Sequence, residues 1–155
     1  MRPLVPLALM LCLLVEVSTG AAGGGNNAKY VGGTIATLQE NTDGRIELAD
    51  NTAVFSAKKG AKLSILYDKV ESLEYGQKAG RRLGLGVAIN PLFLLSKKRK
   101  HFLTIGFRDE SGKTQGAVFE LAKGIVRETL TTLETKSGKK TEYESDEARK
   151  YAEKH

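Results

Sequence analysis

Residues 81–100 carry the strongest binding chemistry in this chain: Arg81 and Arg82, an apolar run from Leu83 to Leu95, then Lys97, Lys98, Arg99 and Lys100. Cations bracketing an apolar stretch suit a surface that is both anionic and apolar, such as a lipid bilayer. Burying Ile89, Leu92, Phe93, Leu94 and Leu95 is worth about 1.5–3 kcal/mol each. Each flanking cation adds about 1 kcal/mol at most beside anionic lipid. A protein core or a subunit interface offers the same apolar gain, so both stay open. The run is too short to span a bilayer as a helix, and Gly84, Gly86 and Pro91 weaken helix there. Unpaired loop amides resist hydrocarbon, which leaves shallow insertion. Arg81, Arg82, Leu92, Phe93, Lys97, Lys98, Arg99 and Lys100 are the expected contact surface.

Other chemistry-bearing patterns dissolve on inspection. Gly112-Lys113-Thr114 has the end of a phosphate loop, but the earlier glycine would fall at Phe107, so no cradle of backbone donors is encoded. Gly84-Leu85-Gly86 lacks the third glycine of a dinucleotide fingerprint, since position 89 is Ile89, and no strand–helix–strand unit surrounds it. Asp109 to Glu120 has the span of a calcium loop. Its fifth and sixth places hold Lys113 and Thr114, where an oxygen ligand and a glycine are required. The two histidines are His101 and the terminal His155, with no partners at zinc or triad spacing. His101, following Lys98-Arg99-Lys100, is expected to be a solvated strand-start residue. No catalytic, cofactor-binding or metal-ligating residue is assigned. The expected character is non-enzymatic, with an extracellular hydrolase or a homo-oligomeric structural protein as alternatives.

With 155 residues the chain makes one domain with extensions. Arg2, the apolar stretch Leu4 to Val17 and the small residues Ser18, Gly20, Ala21 and Ala22 have the order of a secretory signal peptide over 1–22. Cys12 is the sole cysteine and lies in that stretch, so a processed chain has no thiol and no disulfide. The formal charge of +6 favours acidic partners. Export argues against nucleic acid, as does the scarcity of aromatics among the cations. The expected partners are an anionic membrane surface or an apolar protein, met in the periplasm or outside the cell.

These residues need a scaffold, and the rest of the sequence reads as short strands separated by turns. Residues 23–29 form a Gly- and Asn-rich lead-in. Strands are expected over Tyr30–Leu38, Arg45–Ala49, Ala53–Ala57, Leu63–Tyr67 and Val70–Tyr75, with Asn41 to Gly44 as a tight reversal. Leu103, Ile105 and Phe107 alternate into the turn Asp109–Gly112, and Thr114 to Glu120 returns as a hairpin. The period then changes. Ala122, Ile125, Val126, Thr129, Leu130 and Leu133 share one helical face, with Gly138 at the stop. The strongly charged residues 141–155 read as a tail, frayed or disordered. The fold class is mainly β (α+β): an antiparallel barrel or sandwich of six to seven strands, capped by one amphipathic helix, over 30–140.

This succession resembles the pleckstrin-homology-like superfold, in particular its bacterial and GRAM-type members. The resemblance is carried by Leu63-Ser-Ile-Leu-Tyr-Asp-Lys-Val-Glu-Ser-Leu-Glu-Tyr75, by the hairpin from Leu103 to Leu121 and by the helix that follows. It implies a binding or scaffolding module. Members that bind phosphoinositides use a basic loop between the first two strands. Here that loop is Gln39 to Gly44, with Glu40 and Asp43 and no lysine, so that lipid site is not carried over.

Overall fold

The computed structural model describes residues 26–77 and 100–155. Strands β1 (Asn27–Gly33), β2 (Thr42–Leu48), β3 (Thr52–Ala57) and β4 (Lys62–Leu66) come first. They are followed by β5 (Val70–Gly76), β6 (Phe102–Arg108) and β7 (Thr114–Leu121). Helix α1 (Val126–Ser137), strand β8 (Thr141–Tyr143) and helix α2 (Asp146–Lys154) complete the chain. The strands form one sheet in the order β4-β3-β2-β1-β7-β6-β5-β8. It is therefore two antiparallel meanders, β1–β4 and β5–β7, joined where β1 pairs with β7. Only the β5–β8 pair is parallel.

The mainly β expectation holds, but β1 runs over Asn27–Gly33 rather than Tyr30–Leu38, taking in the end of the expected lead-in, and the element counts differ. There are eight strands rather than six or seven, and two helices rather than one, among the described residues. Both additions come from residues 141–155, which hold β8 and α2 instead of a loose tail. Composition hid them because six charged residues on α2 face solvent while only Ala148 and Ala152 are fully buried. Ser145 starts α2 by accepting a hydrogen bond from the Ala148 amide at 3.2 Å, which satisfies one of the orphan donors of its first turn.

Alternation drives the sheet. On β2, Ile46 faces inward between exposed Arg45 and Glu47. Ala53, Phe55 and Ala57 do the same on β3. The sheet wraps Tyr30, Phe55, Phe119, Leu73, Leu103, Ile105 and the α1 residues Val126, Leu130 and Leu133 into one core. Such burial is the main source of stability for a chain of this size. α1 ends at Gly138, whose φ of 70° is the left-handed conformation that glycine adopts freely. Lys136, in its last turn, reaches the Ala49 carbonyl at 2.8 Å and tethers the helix to the β2–β3 turn.

Gly44 departs from its expected role. It lies inside β2 rather than in a reversal, and the ring of Phe55 stands where its Cβ would be, 2.6 Å away. The reversal instead centres on Asn41, with φ of 63°.

β6 is buried along Phe102 to Phe107 on both of its faces. Leu103, Ile105 and Phe107 belong to the core, as do Ala117, Phe119 and Leu121 on β7. The alternate residues Phe102, Thr104 and Val118, with Val31 of β1, are also buried but stand outside that core. Thr104 and Val118 face each other across the ladder.

Candidate functional site

Seven of the eight residues expected to form the contact surface, Arg81, Arg82, Leu92, Phe93, Lys97, Lys98 and Arg99, lie outside the described residues. Lys100 is described, and its Nζ meets Glu120 Oε2 of β7 at 2.9 Å, with both side chains a quarter exposed. The ends of this stretch are fixed by neighbouring strands: Gly76 at the close of β5 pairs with Phe102 at the opening of β6. Gln77 and His101, the described residues next to that pair, therefore lie at the same end of the sheet.

At that same end a cluster of rings gathers that the sequence did not announce. His101 is buried, not solvated as its basic neighbours suggested, because it stands just before β6 where β5, β7 and α2 converge. Its Nδ1 shares a hydrogen bond with the Tyr75 hydroxyl of β5 at 2.7 Å. Its ring stacks on Tyr151 of α2, with centroids 4.4 Å apart and planes 19° from parallel. Tyr151 in turn lies 4.6 Å from the His155 ring, and Lys123 sits 5.8 Å from the centre of the Tyr151 ring. Tyr143 of β8 meets Tyr75 edge-on at 6.1 Å.

Beside this cluster the β8–α2 junction is clamped to the end of β5. The Glu144 amide donates to the Tyr75 carbonyl at 2.9 Å. The Glu144 carboxylate accepts from the Gln77 amide, also at 2.9 Å. Gly76 makes room for that carboxylate, since a Cβ there would stand 2.6 Å from its oxygen. The spacing of Tyr151 and His155, one helical turn apart, and the stripe Ala148, Tyr151, Ala152 were the available signals. Each is too short to stand out against the surrounding charge.

Burial sets the electrostatics. It pushes His101 below its ordinary value, with Lys123 and His155 adding to the effect and Glu120 opposing it. Burial pushes the Tyr75 hydroxyl up, helped by Tyr151 and Tyr143. Both groups are therefore neutral at pH 7. A neutral histidine with one nitrogen bonded to a tyrosine and a ring face covered by another is a packing and positioning group, not an exposed proton donor.

Among the described residues, no three His, Cys, Asp or Glu side chains gather as a metal site, and no helix is long and apolar enough to cross a membrane. Asp109 braces the β6–β7 turn: its Oδ1 accepts from the amides of Ser111 and Lys113 at 2.9 Å each. Its Oδ2 accepts from Gln115 at 2.8 Å. A small hollow of about 110 Å³ between β2 and α1, lined by Ile46, Leu48, Ile125 and Thr129 among others, has room for little more than water. No protein-family model matches the chain, and the search of curated proteins returns no match.

Proposed function

We propose that this protein is a non-enzymatic binding module, exported to the cell envelope, that meets an anionic membrane surface or an apolar protein through residues 81–100. The observation that carries this reading is the pairing of Gly76 with Phe102. In sequence the basic–apolar–basic stretch is an insertion between these two paired strands, whose flanking residues meet at one end of the sheet. A four-strand meander, a three-strand meander and a following helix that packs on the core support a pleckstrin-homology-like scaffold. Such scaffolds serve binding more often than catalysis.

Co-sedimentation with vesicles containing anionic lipid tests the reading. Wild-type protein is expected to pellet, and Leu92→Asp combined with Phe93→Asp is expected to stay in solution. Equal behaviour of the two proteins rejects the membrane form. Replacing 78–99 by a short turn between Gln77 and Lys100 should abolish binding while leaving a folded sheet.

A second reading has one observation in its favour. Phe102, Thr104 and Val118, on the outward face of β6 and β7, are buried outside the main core, and the second reading is that the apolar block serves the fold itself rather than a partner. On that reading the shortened protein unfolds or precipitates, and the aspartate pair destabilises the fold instead of affecting vesicle binding alone.

A further inference from the structure

We propose that His101 is a proton-operated latch: neutral, it holds α2 against the ends of β5 and β6, and on protonation in mild acid it releases that helix. The inference stands apart from the contact surface above and needs no ligand.

The attachment of α2 is thin. Its fully buried residues are two alanines, Ala148 and Ala152, which bury little apolar area. Its one large ring, Tyr151, stacks on His101 at 4.4 Å. An element held by so few apolar contacts opens more readily than the strands it covers. Whatever changes His101 therefore changes the stack made by the one large ring of the helix.

Charge on His101 is disfavoured from most sides while α2 is docked. Tyr75 of β5 bonds Nδ1 at 2.7 Å, and in the neutral ring protonated on Nε2 that nitrogen accepts from the hydroxyl. Protonation turns this acceptor into a donor and forces the hydroxyl proton elsewhere. Lys123, in the turn before α1, and His155, at the end of α2, both bring positive charge or the capacity for it. Glu120 of β7 favours the charged form, but Lys100 lies 2.9 Å from it and offsets its field. Tyr151 of α2 covers the face of the His101 ring, and Tyr143 of β8 meets Tyr75 beside it. An imidazolium stacked on Tyr151 would gain some cation–π attraction, yet Lys123 already approaches that ring.

The sign follows. His101 in the docked state binds its proton less tightly than a solvated histidine, whose ordinary value is 6.5. Undocking α2 returns the ring to water and restores that affinity. The docked helix is thus fully favoured above pH 6.5 and loses ground as pH falls below it.

Hydrogen exchange on the full chain at pH 7.5 and 5.0, corrected for the intrinsic pH dependence of amide exchange, tests the latch. Protection of the α2 amides is expected to fall by at least about threefold in acid, while that of β6 and β7 is unchanged. His101→Asn keeps an acceptor for Tyr75 and cannot titrate, so its α2 should show equal protection at both values. His155→Asn should retain the wild-type fall. An unchanged wild-type helix, a fall that persists in His101→Asn, or a fall abolished by His155→Asn overturns the proposal. Should His101→Asn undock α2 outright, the wild-type protein still decides: the loss of α2 protection must set in below pH 6.5 and level off below the NMR titration midpoint of His101.

Discussion

At Gly44 and Asp109 single atoms decide what a residue is for. A Cβ on Gly44 would stand 2.4 Å from the Ser56 carbonyl oxygen and 2.6 Å from the Phe55 ring, neither of which can retreat without moving β3. Gly44→Ala is expected to cost about 1–3 kcal/mol in urea-induced unfolding. Gly124→Ala, whose Cβ meets nothing within 4 Å, should be close to neutral. Asp109 is only half-buried, yet hydrogen bonds from Gln115, Ser111 and Lys113 lower its carboxyl to about 2. Its support for the β6–β7 turn is therefore present above the ordinary carboxylate value of 3.8 and lost as pH falls through about 2. NMR titration should find that low midpoint in the wild type and a midpoint raised toward the ordinary value in Gln115→Ala. Neither role was legible in the sequence. The glycine sat among turn formers, and the aspartate sat where any polar residue would satisfy a hairpin.

Whole elements were more legible where their periodicity ran long. The alternation Leu103, Ile105, Phe107 fixed the β6–β7 hairpin, and the turn falls where Asp109 and Gly112 demanded it, with Gly112 at φ of 80°. The stripe Val126, Thr129, Leu130, Leu133 and the stop at Gly138 likewise gave α1 its face and its end. Leu133 is fully buried beneath the sheet, and Leu133→Ala should cost about 2–5 kcal/mol. By contrast β8 and α2 were hidden, because three strand residues and a two-alanine stripe carry too little pattern to outweigh their charged neighbours. His101 was misread for the same reason. Its sequence neighbours are cations, and only the arrival of Tyr75 and Tyr151 from distant positions buries it. Ser145→Ala removes the cap of α2 and should lower helix stability by about 0.5–2 kcal/mol. In hydrogen exchange that loss should be confined to α2 and leave α1 protected.

For the molecule as a whole, the sheet draws its inward residues from every strand, so the two meanders and α1 are expected to unfold together. The candidate contact stretch was fully visible as a pattern of charge and apolarity, whereas its meaning depends on what lies opposite it in space. The parallel pairing of Leu73, Glu74 and Tyr75 with Thr141, Glu142 and Tyr143 has one last consequence. Without β8 the outer rim of β5 would bare a ladder of amides and carbonyls, a template on which another chain can zip. A protein ended after Lys140 should therefore still fold around its core but sediment as dimers or larger species, where the intact chain stays monodisperse. Three modest residues near the C-terminus thus act as a selvedge, finishing the cloth so that it does not stitch itself to its neighbour.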